Sequence, residues 1–241
     1  MDNASKALIM AGGMLLAMLI LALLMYAWSL FSEYQTSQDD LVEIENTAKF
    51  NEQFMQYDRN DVQGYEILSL VNKVVDYNYR KSNDVNAKND KKYNPITIDI
   101  NIPDPSVFTE GSEPNQLFDV NKKQYRQSNT VNQFNSIIRD ATDIEARYGG
   151  SDSATRLSKS ISTIYSSDTK EENAIKKFNS LSTKTKVNNL SELIREKPYV
   201  YKYYEYVQFK RTIFKSNSTK IEYDSTSGRV SYMCFDFVKV K

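Results

Sequence analysis

The stretch Ala7–Phe31, ALIMAGGMLLAMLILALLMYAWSLF, decides how the rest of the chain is read. Its 25 residues carry no charge, and Ser29 is its one clearly polar member. Crossing a ~30 Å hydrocarbon core takes roughly 20 apolar residues in a helix, so the run is long enough with a little left for tilt. Tyr26 and Trp28 lie at its C-terminal end, where amphipathic rings settle at the headgroup level, and they are the expected membrane-interface residues. Only MDNASK precedes the run, with Lys6 and the amino terminus as positive groups. Glu33, Asp39, Asp40, Glu43 and Glu45 follow it before the first base, Lys49. The bias of basic residues toward the cytoplasmic side then predicts residues 1–6 inside, 7–31 across the cell membrane, and the C-terminal part extracellular. A cleaved signal peptide would have a shorter apolar core and a small-x-small site. Tyr26-Ala27-Trp28 is too bulky for one, so the run reads as an uncleaved signal-anchor.

Totals narrow the chemistry. Among 241 residues, 31 bases balance 31 acids, which gives no basic footprint for nucleic acid. Histidine is absent and Cys234 is the one cysteine. That inventory excludes an internal disulfide, a Cys/His zinc site and His-dependent acid–base or triad chemistry. No phosphate loop, dinucleotide fingerprint, EF-hand or nucleophile elbow is present. No catalytic, cofactor or metal residues are assigned, and the reading is non-enzymatic. Asp99, Asp104, Glu110 and Glu113 fall in one loop region but read as solvated acids rather than a cation site. Cys234 reads as a small apolar filler on a buried edge strand. Lys202, Lys210 and Arg211 read as a solvated strand face.

Beyond the apolar run, Leu41, Ile44 and Ala48, then Phe50, Phe54 and Tyr57, recur at three- and four-residue spacing, predicting an amphipathic stem helix over 32–58. Its stripe is most simply a surface on which the domain docks; an oligomer seam is the alternative. Asn60-Asp61 reads as the cap of a second helix, with Gly64 marking a close contact with the stem. Residues 83–94 read as a loop. Ile96, Ile98, Ile100 and Ile102 alternate with polar residues as a half-buried strand, and Leu117-Phe118-Asp119-Val120 as a further short strand. A helical insertion is expected over about 130–196, its first helix running from Val131 to a stop at Gly149-Gly150. Residues 199–214, YVYKYYEYVQFKRTIF, are rich in aromatic and β-branched residues and read as a strand. A hairpin follows around Asp224–Gly228. The expected fold class is α+β: an N-terminal transmembrane helix continuing into the stem, then a head over 59–241 with helices packed on a small antiparallel sheet of about four strands. Tyr199, Tyr201, Tyr203, Tyr204 and Tyr206 are its candidate partner contacts.

The opening MDNASKALIMAGGMLLAMLI, the stem FNEQFMQYDRNDVQGYEILSLVNKVVDYN and the ending YYEYVQFKRTIFKSN…YDSTSGRVSYMCF resemble uncharacterised single-pass membrane proteins of low-GC Gram-positive bacteria. In outline such proteins are similar to type IV pilins and pseudopilins. A prepilin-type cut would follow Gly13 and place Met18 where pilins generally carry Glu, so the resemblance is one of architecture. It implies a membrane-anchored surface protein, either a pilin-like subunit or a component of an envelope or secretion assembly. Its partners would be the lipid bilayer, other copies through the N-terminal helix, or other envelope proteins. The alternative is a monomeric, membrane-anchored module or sensor that binds peptide or glycan.

Overall fold

In the computed structural model, residues 2–83, 94–111, 124–126 and 133–241 are described, with 124–126 and 133–138 as backbone only. The expected strand at Leu117–Val120, the acid Glu113, the helix start at Val131 and most of the 83–94 loop lie outside the described residues. Contacts divide the chain into two units, Met1–Phe50 and Asn51–Lys241.

Helix α1 (Asp2–Met55) supplies the first unit with its residues up to Phe50, and its residues 51–55 belong to the second. No Pro or Gly interrupts it after Gly13, so the backbone ladder has no reason to break. Its most apolar window has a mean hydropathy of 2.7, long and apolar enough to cross a membrane. The large apolar side chains from Leu8 to Phe31 are 48–77% exposed. Tyr34, Leu41, Val42 and Ile44 further along are exposed as well. Phe54, by contrast, is 2% exposed, and Asn51 is bonded at both ends of its amide: Nδ2 donates to the Gly228 carbonyl and Oδ1 accepts from the Val230 amide.

In the second unit, a two-residue strand β1 (Val62–Gln63) precedes α2 (Gly64–Asn83), so the helix begins later than Asn60-Asp61 would place it. Glu66 in its first turn accepts the Gln63 amide and pairs with Arg59. Burial pushes the Glu66 carboxyl up, but the Arg59 hydrogen bonds and the Gln63 amide outweigh it, and the group ends below its ordinary value. A depressed carboxylate contributes stability that is present above the ordinary glutamate range and lost as pH falls through the lowered folded value. Acid unfolding is therefore expected to include a step below roughly pH 4 that Arg59→Met abolishes, as read from melting temperature against pH.

Strand β2 (Thr97–Asn101) follows, then a 3₁₀ turn over Pro105–Phe108 capped by the Asp104 carboxylate on the Ser106 amide, and β3 (Gln124–Arg126). Asn78 on α2 pins the entry to β2, its Nδ2 donating to the Ile96 carbonyl and its Oδ1 accepting the Ile96 amide. Both backbone groups are buried with Ile96, so Asn78→Ala is expected to cost about 2 kcal/mol in urea denaturation without changing the slope.

Helices α3 (Gln133–Tyr148), α4 (Ser151–Lys159), α5 (Ile161–Tyr165) and α6 (Glu171–Leu181) come next. Gly149 and Gly150 stop α3 with φ of 98° and 101°, and a Cβ on Gly149 would strike the Thr183 side chain. Helix α7 (Leu190–Arg211) then runs straight through the stretch expected to be a strand. The Asn189 side chain caps it on the Glu192 amide, Pro198 is accommodated at an exposed turn, and Thr212 closes it. The helix touches α2, α3, α4, α5, α6 and the 3₁₀ turn. Being packed on several sides, it buries Val200, Tyr201, Tyr203, Glu205, Val207 and Phe209 rather than one stripe, which is how a helix came to look like an alternating strand. The helical region therefore extends to Arg211 instead of ending near 196.

The chain closes with β4 (Ile213–Ser216), a 3₁₀ turn, β5 (Glu222–Tyr223) and β6 (Val230–Lys239). Among the described residues the sheet runs β1-β4-β6-β2-β3, with β5 also on β6. It is mixed rather than antiparallel: β2 lies parallel to β6, with Asp99 opposite Cys234, and the other pairs are antiparallel. A parallel pair needs a long crossover, and all of α3–α7 lies between these two strands. The β5–β6 hairpin expected near Asp224–Gly228 is present, its turn closed by the Gly228 amide on the Asp224 carbonyl. Ile98, Ile100, Phe214, Met233 and Phe235 form the apolar side of the sheet. Ile144, Tyr148, Leu157, Ile164, Phe178 and Tyr203 belong to a second cluster among the helices. Phe209 at the end of α7 joins the sheet side, 5.4 Å from Phe214 and 5.9 Å from Phe108 between ring centroids.

Candidate binding cleft

Because the chain is helical to Arg211, Tyr199, Tyr201 and Tyr203 do not share one face as they would in a strand. Tyr201 and Tyr203 are core residues, 6% and 2% exposed. Tyr201 sits 6.0 Å from the Tyr165 ring. The Tyr203 hydroxyl donates to Glu145 Oε1 at 3.0 Å, and burial pushes its phenol up to about 12. Tyr204 and Tyr206 are half-buried, and the Lys210 ammonium lies 5.1 Å from the Tyr206 ring. Tyr199 alone of the five is exposed, at 40%.

Tyr199 lines a cleft of about 230 Å³ between α3 and α7, with Asp140, Asp143, Ile144, Arg147 and Lys202. The spacing of Asp140, Ile144 and Arg147 along α3 puts them on one helix face. The Arg147 guanidinium lies 4.6 Å from the Tyr199 ring centroid, a cation–π contact. The same guanidinium makes a two-point bond to Glu196, Nε to Oε2 at 2.8 Å and Nη2 to Oε1 at 2.6 Å. Those bonds hold Arg147 charged well beyond its ordinary range. Glu196 is 1% exposed and also accepts from the Tyr148 hydroxyl at 3.2 Å. Lys202 pairs with Asp140 at 3.4 Å, so it is not the solvated cation expected of a strand face. The cleft thus offers an aromatic ring, the exposed carboxylate of Asp143 and two cations that already have partners, a lining suited to binding a polar ligand. It contains no nucleophile–base pair. From the sequence Tyr199 was expected as a partner contact and Lys202 as a solvated cation, while Arg147 and Glu196 were not singled out, because their separation along the chain leaves no local signal.

A second, more polar hollow of about 650 Å³ lies at the sheet end, lined by Asn94, Pro95, Thr97, Lys220, Glu222, Ser231 and Tyr232. Beneath it the Tyr232 hydroxyl donates to Asp99 Oδ2 at 2.8 Å. Asp99 is fully buried, not a loop acid in solvent. Cys234 lies on β6, the middle strand, rather than at an edge. Its Sγ accepts from Asn101 Nδ2 at 3.3 Å, and burial pushes its thiol up, away from the reactive thiolate. Among the described residues no group of acids and cysteine is placed to hold a metal ion. On α1, Tyr26 and Trp28 are 64% and 73% exposed, with the Trp28 ring 6.4 Å from Phe31.

Comparison with protein families, with curated proteins and with solved structures finds no match for this chain.

Proposed function

We propose that this chain is a non-enzymatic surface protein, anchored in the cell membrane by residues 7–31 and acting as a component of an envelope assembly. Its N-terminus lies in the cytoplasm and the unit from Asn51 onward lies outside. The observation that carries the reading is the uncharged run from Ala7 to Phe31, whose large side chains are all about half exposed or more. In water so much apolar surface is costly, and a bilayer removes that cost. Tyr26 and Trp28 take the outer headgroup level. An apolar N-terminal helix entering an α+β unit is also the outline of a pilin-like subunit, although Met18 lacks the carboxylate a pilin would place there.

The exposed Tyr199 ring favours the second reading, a monomeric anchored module that binds peptide or glycan in the α3–α7 cleft. The two part on assembly state. Extracted from its own membrane in mild detergent and sized by native mass, the full chain is expected above the mass of one copy, alone or with other envelope proteins. The fragment Asn51–Lys241 is expected to run as a monomer. A monomer in both cases would overturn the assembly reading.

A further inference from the structure

From the last turn of the apolar run onward, α1 carries a seam with a charge rule. Leu30, Tyr34, Ser37, Leu41, Ile44 and Ala48 follow the alternating four- and three-residue steps of a coiled-coil face, and all six are exposed. Their exposure includes 63% at Tyr34, 59% at Leu41 and 64% at Ile44. Glu33 and Asp40 flank the seam on one side and Gln38 and Glu45 on the other. These flanking positions set which helix a coiled coil accepts. In a parallel pair of copies, Asp40 of each would face Glu45 of the other, and the twofold symmetry repeats the repulsion. Glu45 already contacts Lys49 at 2.6 Å, but both side chains are largely exposed, so the pair is weak, and Lys49 lies off the seam. Between residues 32 and 50, five acids face one base.

We propose that residues 30–48 dock a helix from a different membrane-anchored chain, one with apolar residues at the same spacing and Lys or Arg flanking them. This rests on the anchored reading above and adds the chemistry of the partner. The seam supplies the affinity, and the acids select a basic helix while rejecting a second copy.

The test uses full chains in bilayer nanodiscs, in two tagged versions of different mass. Both carry Ser37→Cys on the seam, and one also carries Asp40→Lys and Glu45→Lys, making it the basic partner. Oxidative trapping is expected to yield the mixed dimer over the unaltered homodimer by roughly fivefold or more at low salt, since two like-charge contacts become two opposite-charge ones. The excess should shrink in high salt and disappear when Leu41→Ser and Ile44→Ser are added. Equal yields of mixed and unaltered dimers, or a preferred unaltered homodimer, would overturn the charge rule and assign the seam to a second copy. Trapping at background in every combination would overturn the seam itself and leave it to other parts of the same chain. Either result is separate from failure of the assembly reading, which is a monomer in the membrane extract.

Discussion

Gly64→Ala should lower the unfolding free energy of the Asn51–Lys241 unit by roughly 2–3 kcal/mol, although Ala is the better helix former by about 1 kcal/mol. A Cβ at this position would lie 1.8 Å from the Phe209 carbonyl oxygen and 2.8 Å from its carbon. Both are backbone atoms, so no side chain can swing aside. Phe209 cannot retreat, being fully buried against Phe214 and Phe108. The Gly64 amide also donates to the Thr212 carbonyl at 2.8 Å, so the start of α2 is tied to the end of α7. The close contact expected from this glycine therefore exists, but with α7 rather than with the stem. Urea denaturation by circular dichroism reads the change. A gain in stability would mean that α2 and α7 do not cross this closely.

Removing Arg147 from the α3–α7 cleft should cost more than neutralising Glu196, the buried acid it pairs with. Arg147→Ala strands the Glu196 carboxylate at 1% exposure, with only the Tyr148 hydroxyl left among the bonds described above. An abandoned buried charge costs roughly 3–5 kcal/mol. Glu196→Gln keeps an acceptor for Tyr148 and Arg147, and the Arg147 side chain is 39% exposed, so water can take up its charge. That substitution is expected to cost about 1–2 kcal/mol. The difference between the two, taken from the same urea curves, tests whether the place of Glu196 in the core depends on its two-point bond to one guanidinium. Equal costs would contradict that arrangement.

How much of this was legible depended on whether a residue's surroundings were local. The uncharged run from Ala7, the stop at Gly149-Gly150, the alternating isoleucines of β2 and the hairpin after Asp224 each carry their signal within a few residues. The run Tyr199–Phe209 does not. Its helix is enclosed by five others, so its buried positions mimic a two-residue period, and β-favouring aromatics completed the disguise. Local signals there conflict: the Asn189 side chain caps a helix on the Glu192 amide, whereas Pro198 removes a hydrogen bond from the interior of one. Misplacing that element also misdrew the sheet, because the parallel β2–β6 pair depends on a crossover that only tertiary structure reveals. For the candidate site, composition drew attention to Tyr199, while the Arg147 beside its ring and the Glu196 that holds Arg147 meet only through the packing of α3 on α7.

The proposed anchor runs through residues 7–31, with the second unit outside. Cys234 is buried, so single cysteines can be placed against a quiet background. Full chains carrying Ser5→Cys or Ser225→Cys, expressed in intact cells, can be exposed to a membrane-impermeant maleimide. Labelling is expected at Ser225→Cys in intact cells and at Ser5→Cys only after the membrane is permeabilised, with the protein resisting carbonate extraction. Labelling of Ser5→Cys in intact cells, or protection of both sites with release into carbonate, would contradict it.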